Sequence, residues 1–221
     1  MIVVIGSPVG RDHEGLISAA GPASRMALAA ARTGRTVQLV GRTGDDPVAD
    51  AVVLDLGRGG VGHVALLRDP ALVTLTEQVT DEDGDAPVSA DAEAATIAAG
   101  SETPTGGSDL DPADVDLGLR YLTDFQVVLL AEPSRPDVVS VVAEAARWAE
   151  ARLVLVVGAG DVVPDDLPAD VIILEAPPAD PDDAFAEMVG AFVAALDGGI
   201  EPDAAFQTSI ARDGWTGAAR D

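Results

Sequence analysis

The stretch TVQLVGRTGDDPVADAVVLDLGRGGVGH, residues 36–63, is the segment that decides the fold. Its first residues are mostly β-branched or apolar and end in glycine, which is typical of a buried strand. The polar turn RTGDD follows, and then a run of Ala, Val and Leu at helical spacing that closes on glycines. A strand, a turn and a helix in this order indicate one repeat of an alternating α/β fold.

The same alternation continues on both sides of this segment. Upstream, IVVIG (2–6) predicts a buried strand and AAGPASRMALAAARTGR (19–35) predicts a helix of about three turns. Downstream, a helix with Asp111 as N-cap and Pro112 at its first position precedes further strands and helices. The downstream strands are expected in FQVVLLAE, RLVLVVGAG and ADVIILEA. We therefore predict one α/β domain over residues 1–221, with a doubly wound, mostly parallel sheet.

Residues 62–90 interrupt this rhythm. HVALLRD and LVTLTEQVT have strand character, and DEDGD is a turn that leads to APVSA. We interpret the segment as antiparallel hairpins that project from the main body as a small β lid. Residues 91–114 are rich in Ala, Ser, Thr, Gly and Asp, and we interpret most of them as loop.

Composition excludes several function classes. The chain has 38 acidic and 13 basic residues, a formal net charge of −25, and all basic residues are arginine. Such a charge argues against a nucleic-acid partner and against an anionic membrane surface. Without lysine the chain has neither Schiff-base chemistry nor a P-loop lysine, and without cysteine it has no thiolate chemistry. No apolar run is long enough to span a bilayer and no signal peptide is evident, so we expect a cytoplasmic protein.

Several of these stretches, in the same order, resemble the ribokinase-like, or PfkB, carbohydrate kinases. The segment 36–63 is similar to the family's strand, its Gly-x-x-Gly-Asp-Asp turn, its helix and its closing Gly-Val. AAGPASRMALAAARTG is similar to the family's substrate loop and the helix after it. DDAFAEMVGAFVAALDGG resembles the helix that begins with the catalytic aspartate. The resemblance implies a ribokinase-like three-layer fold and ATP-dependent phosphorylation of a sugar or a similar alcohol.

The resemblance also implies a set of site residues. Aligning DDAF puts the catalytic base at Asp183, and the amides of the family's Gly-Ala-Gly, which hold the transferring phosphoryl group, fall on residues 180–182. The substrate side of the site falls on Asp12, Gly21 and Arg25. Asp12 matches only with one inserted residue, and Arg25 stands where the family usually has a sugar-binding Asn.

Other positions depart from the family pattern. Pro181 has no amide proton, and Asp180 and Asp182 add negative charge where a phosphoryl group would sit. The Asn-x-x-Glu motif that organises magnesium and phosphate is absent after DVIIL. The strands and helices that build much of the family's adenine and ribose pocket are also missing, because ADVIILEA runs almost directly into DPDDAF. The sequence therefore argues against ordinary ATP binding.

Two hypotheses for function remain open. We favour a degenerate homologue that binds a small polar ligand, such as a sugar, or a partner, without efficient phosphoryl transfer and without a cofactor. In this hypothesis Asp180-Pro181-Asp182-Asp183 is a helix cap with Asp180 as N-cap, and the 62–90 hairpins pair two subunits into a homodimer. The alternative is an active carbohydrate kinase with ATP and Mg²⁺, in which Asp183 is the general base.

The remaining unusual residues receive structural interpretations. His13 and His63 are far apart in sequence and define no metal ligand set. Trp148 falls on the apolar stripe of its helix and is expected in the core. VVGAGD (156–161) is similar to the family's catalytic Gly-Ala-Gly-Asp, but we interpret it as a strand-end turn because no helix carrying Ala-Phe follows.

Overall fold

The computed structural model describes residues 1–78, 110–161, 163–164, 167–180 and 182–213. Several expectations fall on residues outside these ranges. They are the DEDGD turn and APVSA, the loop at 91–109, and the position of Pro181.

A six-stranded, fully parallel sheet forms the centre of the molecule. Its strand order is β5-β4-β1-β7-β8-β9. The strands are β1 (Ile2–Ile5), β4 (Val37–Gly44), β5 (Val61–Asp69), β7 (Val127–Leu130), β8 (Arg152–Val157) and β9 (Ile172–Glu175). The inner strands β1 and β7 are apolar and fully buried along their length, as expected for parallel strands that are covered on both faces.

Helices cover both faces of this sheet, which gives three layers. One core packs α1, α2, α5 and α6 against one face, and a second core packs α3 and α4 against the other. The helices are α1 (Gly21–Arg32), α2 (Pro47–Arg58), α3 (Pro112–Arg120), α4 (Pro136–Trp148), α5 (Ala184–Asp197) and α6 (Pro202–Asp213). The predicted α/β doubly wound sheet is confirmed.

A second, three-stranded sheet lies beside the main one, in the order β3-β2-β6. Its strands are β2 (Val9–His13), β3 (Leu16–Ala20) and β6 (Thr76–Gln78). β2 and β3 form a hairpin around Glu14 and Gly15, which have φ values of 54° and 83°. Positive φ at both central residues is the requirement of the type I′ turn, one of the two common two-residue hairpin turns.

The expected hairpin at 62–90 is therefore wrong for its first part. Residues 61–69 form β5, which pairs in parallel with β4 at the edge of the main sheet. The physical reason is the βαβ crossover, because a strand, a helix and a second strand return the chain parallel to its start. The small sheet instead takes its hairpin from residues 9–20, and residues 79–90 lie outside the described ranges. The homodimer was expected to form through these hairpins, and residues 61–69 offer no hairpin for that contact.

The helix ends explain which polar residues are structural. Asp111 is the N-cap of α3 and accepts a hydrogen bond from the amide of Ala113, with Pro112 at the first position, as predicted. Asp46 caps α2 in the same way through the amide of Ala49. The core position expected for Trp148 is wrong, because the last residue of α4 leaves its side chain 86% exposed.

The chain reaches α5 by a short route. β9 is the last strand in the described ranges and forms an edge of the main sheet, and residues 176–183 connect it to the first residue of α5. In the described part of the chain, no helix has the length and apolar character needed to cross a membrane.

Candidate functional site

The topology places a crevice at the carboxyl ends of β1 and β7. From β1 the chain moves to β4 and β5 on one side, and it then returns to β7 on the other side. A reversal of this kind leaves an open crevice between the two adjacent strands, where doubly wound proteins generally bind ligands. The candidate site therefore lies around residues 6, 7 and 131–134, with the small sheet and the starts of α1 and α5 beside it.

Gly6 and Glu132 form the floor of this crevice. The amide of Ser7 donates a hydrogen bond of 2.7 Å to Glu132 Oε1. A Cβ on Gly6 would lie 2.5 Å from Cβ of Ala23 and 3.3 Å from Glu132 Oε1, so only glycine allows α1 to pack this closely. Glu132 was not among the predicted site residues. Its sequence signal is its position two residues after the end of the buried strand β7.

Two of the predicted substrate residues have structural roles here. Asp12 lies on β2, is exposed, and accepts a 2.8 Å hydrogen bond from the amide of Gly15, which supports the hairpin turn. Gly21 is the first residue of α1 and has φ 78°, a left-handed value that side chains rarely adopt. A Cβ there would lie 3.0 Å from a methyl group of Val9 and 3.7 Å from the carbonyl oxygen of Ser7.

Arg25 and Asp183, by contrast, are brought together. Arg25 Nη1 lies 2.5 Å from Asp183 Oδ1, and Arg25 Nη2 lies 2.7 Å from Glu77 Oε2. The same oxygen of Glu77 is 3.1 Å from Arg11 Nη2. This ion network joins β2, β6, α1 and the start of α5, so it ties the small sheet to the main body. Arg11 and Glu77 belong to no sequence motif, so the sequence alone does not indicate their place in this network.

Asp183 occupies the N-cap position of α5 with unusual geometry. Its φ of 57° is left-handed, and its own side chain makes no capping hydrogen bond. Burial raises the pKa of Asp183; the charge of Arg25 opposes this, and the carboxylates of Asp180, Glu77 and Asp182 add to the increase. Oδ1 is buried and accepts no hydrogen bond of good geometry in the described part of the chain, and the cation beside it is Arg25.

Asp180 performs the capping instead. Its Oδ1 accepts a 3.0 Å hydrogen bond from the amide of Phe185, and its Oδ2 accepts one of 3.0 Å from the amide of Ala186. The prediction that Asp180 is the N-cap residue was wrong, because the helix begins at Ala184 and the carboxylate reaches it from the preceding turn. The free amides at a helix start are a natural anion site, and here a side chain of the protein fills it.

The VVGAGD segment and the two histidines are the remaining candidates. Gly158 donates its amide to Asp161 Oδ2 at 2.7 Å, so VVGAGD is a strand-end turn as predicted. Within the residues that the structure describes, no group of three or more His, Cys, Asp or Glu side chains is arranged to hold a metal ion. His13 and His63 are both exposed.

Comparisons with known proteins identify the architecture. No family model and no curated protein matches the sequence. Among solved structures, aminoimidazole riboside kinase from Salmonella enterica is 15% identical with a TM-score of 0.61, covering 96% of this chain and 90% of that one. The fold is ribokinase-like.

Two further structures give the same result. A putative ribokinase II from E. coli in complex with ATP and Mg²⁺ is 14% identical, with a TM-score of 0.62 and coverage of 96% and 91% of the two chains. Arabidopsis thaliana ribokinase complexed with ribose and ATP is 15% identical, with a TM-score of 0.62 and coverage of 98% and 93%. The ribokinase-like fold predicted from the motifs is confirmed, and identities this low bear on the fold alone.

Proposed function

We propose that this protein binds a small polar ligand in the crevice of its ribokinase-like fold and does not carry out efficient phosphoryl transfer. The observation that carries the proposal is the carboxylate of Asp180, which accepts hydrogen bonds from both amides, of Phe185 and Ala186, at the start of α5. A phosphoryl group placed at this helix start would compete with that carboxylate for the same donors.

Electrostatics supports the same conclusion. Asp180, Asp182 and Asp183 put three carboxylates within four residues of the start of α5. Phosphoryl transfer places negative charge on the same space, and repulsion at close range and low effective dielectric amounts to several kcal/mol. Loss of one well-placed oxyanion donor typically lowers the rate by a factor of about 100 to 1000. A nucleotide phosphate is therefore a poor ligand for this corner.

The crevice itself offers groups suited to a polyhydroxylated ligand. Glu132 and the Arg25–Asp183 pair supply acceptors and donors near the carboxyl ends of β1 and β7. Such convergent polar groups in a crevice fix the orientation of a small ligand. The solved structures with this fold include one complexed with ribose and one complexed with aminoimidazole riboside, so a sugar is the first ligand to test.

An active carbohydrate kinase remains the second candidate, and one observation favours it. Asp183 lies at the start of α5 with its pKa raised by burial, and a carboxylate with a raised pKa is a better general base near neutral pH. The Arg25 pair would then hold this base in position until a substrate hydroxyl arrives. This candidate requires ATP and Mg²⁺.

Titration with ATP and Mg²⁺ in a thermal-shift experiment separates the two candidates. A real nucleotide site stabilises the protein increasingly as the ligand exceeds its dissociation constant. We expect an unchanged melting temperature with ATP and Mg²⁺, and a rise with ribose or another sugar. A saturable rise with ATP, together with sugar phosphorylation that Asp183→Asn abolishes, would overturn the proposal in favour of the kinase.

A further inference from the structure

A groove lies between α3 and α4, on the face of the main sheet opposite to α1 and α5. Its volume is about 720 Å³, and its floor is apolar. The residues that form this floor and its wall are Leu119, Leu122, Phe125, Val141, Ala145 and Trp148. This groove has no part in the site described above, because helices α1 and α5 belong to the other core.

Trp148 makes this groove unusual. The chain contains only 3% aromatic residues and two tryptophans, yet Trp148 leaves 86% of its surface exposed along the groove. It is the most exposed of the large hydrophobic side chains in the described ranges. Tryptophan is the residue most enriched at the energetic centres of protein interfaces, where its large area becomes buried.

The charges at the rim indicate which partner would fit. Glu144 lies one turn before Trp148 on the same helix, is exposed, and lines the groove. The positive charge of Arg120 is balanced by Asp116 at 2.6 Å, which leaves Glu144 as the remaining charged side chain among the residues that line the groove. A cation beside Glu144 would lie about one helical turn from the exposed indole of Trp148, and tryptophan is the strongest partner for cation–π contacts. The net charge of −25 adds long-range attraction for a basic partner.

We propose that the α3–α4 groove is a docking site for a basic amphipathic helix of a partner protein. The apolar side of that helix would fill the groove against Leu122 and Val141, and a Lys or Arg on its edge would lie between Glu144 and Trp148. Insertion of an amphipathic helix into an apolar groove is a recurrent mode of peptide recognition. This proposal does not depend on the function proposed for the crevice.

Trp148 fluorescence measures the binding directly. In a Trp215→Phe variant, Trp148 is the remaining tryptophan. The probe is an amphipathic peptide of about 18 residues built from Leu and Lys, long enough to form a helix. Its control is the same peptide with Glu in place of Lys. We expect a saturable blue shift with the Leu/Lys peptide, weakened by salt, and a dissociation constant at least about tenfold higher with the Leu/Glu peptide.

Paired variants separate this groove from general attraction by an acidic protein. Val141→Asp puts a charge inside the groove, and Ser140→Asp puts the same charge on the neighbouring residue, which does not line it. Glu144→Gln removes the rim carboxylate, and Glu150→Gln removes an exposed carboxylate outside the groove. We expect Val141→Asp and Glu144→Gln to weaken binding by about tenfold or more, and both control variants to stay within about twofold of the parent.

Three outcomes would overturn the proposal. The first is equal binding of the Leu/Lys and Leu/Glu peptides, and the second is an equal loss of affinity in each variant and its control. The third is self-association in sedimentation experiments that Val141→Asp abolishes, because the occupant would then be a second copy of the chain. Thermal unfolding checks that the Val141→Asp variant is folded. If that variant does not fold, the comparison of Glu144→Gln with Glu150→Gln still tests the proposal.

Discussion

The carboxylate of Asp183 lies 2.5 Å from Nη1 of Arg25, and this contact joins the start of α5 to the second turn of α1. Arg25 holds Glu77 of the small sheet with its other terminal nitrogen. One guanidinium group therefore connects three elements around the crevice. Even so, burial outweighs this favourable charge, and the pKa of Asp183 is raised.

The raised pKa gives Asp183 a defined effect on stability. The folded state holds the proton of this carboxyl more tightly than the unfolded state does. The free energy of unfolding therefore falls as the pH rises above 3.8, the ordinary pKa of an aspartate, because the folded state must then carry the charged carboxylate. Asparagine mimics the protonated form. We expect Asp183→Asn to gain stability relative to the parent as the pH rises above 3.8, and the difference to level off above the folded pKa. Urea unfolding across this pH range measures it.

Asp182→Asn is the matched control for this experiment, because Asp182 is an exposed neighbour in the same turn. Because the Asp182 carboxylate makes one of the smaller contributions to the raised pKa of Asp183, its stability difference from the parent should change with pH in the same direction but by less than that of Asp183→Asn. A difference for Asp183→Asn that falls as the pH rises would mean that the Arg25 ion pair dominates and that the pKa is lowered.

Asp180 supplies a second prediction. Its carboxylate accepts hydrogen bonds from the amides of Phe185 and Ala186, and removal of a helix-capping side chain costs about 1 kcal/mol, within a range of roughly 0.5–2. We expect Asp180→Ala to lower the free energy of unfolding by this amount. It should also lower the pKa of Asp183, because a neighbouring negative charge is lost. Urea unfolding gives the first quantity and NMR titration of the Asp183 carboxyl gives the second.

Asp182→Ala again serves as the comparison, since this side chain is exposed at the same turn. Equal losses of stability in the two variants would show that Asp180 contributes charge to the turn and no specific cap.

The layered fold was predictable because its signals are local. Buried runs such as Ile2–Ile5 and Val127–Leu130 are apolar throughout, and the Asp-Pro start at 111–112 marks a helix unambiguously. The edge strand β5 was harder, because its burial is irregular and an exposed strand of that kind fits a hairpin equally well. The hairpin at 9–20 was missed because its Glu14-Gly15 turn differs from the usual Asn-Gly signal.

The candidate site was predictable only in part. Motif position led to Arg25 and Asp183, which the fold brings into contact. Arg11, Glu77 and Glu132 belong to no motif, and their roles depend on which strands become neighbours. The cap was misplaced because Asp-Pro predicts a helix start at residue 180, whereas the helix starts at Ala184. The helix propensity of a local sequence does not reveal the contacts between α5 and α1, and these contacts help to place the start of α5.

Asp46 should show the opposite pH dependence to Asp183. Its pKa is lowered, first by the hydrogen bond from the amide of Thr74 and also by that from the amide of Ala49. The charged Asp46 carboxylate therefore stabilises the fold at pH values above 3.8, the ordinary pKa of an aspartate. This stabilisation is lost as the pH falls through the lowered pKa. At neutral pH we expect Asp46→Ala to lower the free energy of unfolding by about 1–2 kcal/mol, because it removes the cap of α2 and the hydrogen bond from the amide of Thr74. Unfolding in urea at several pH values measures the loss.

For Asp46, the neighbouring Asp45→Ala is the control. Asp45 is exposed and contacts Arg68 at 3.4 Å, and exposed ion pairs typically contribute about 0–1 kcal/mol. If the cost of Asp46→Ala stays constant down to acidic pH, the carboxylate charge has no part in the cap.

Two glycines should respond in opposite directions to the same added methyl group. A Cβ on Gly41 would collide with the carbonyl oxygen of Gly6 where β1 and β4 meet, and backbone there cannot move aside. We expect Gly41→Ala to lower the free energy of unfolding by about 1–3 kcal/mol. Gly57 lies within α2 with its nearest neighbour, His63 Cε1, at 3.7 Å, so Gly57→Ala should stabilise by about 0.5–1 kcal/mol. Urea unfolding of both variants checks the pair, and a Gly41→Ala variant as stable as the parent would contradict the close contact of β1 and β4 on which the crevice depends.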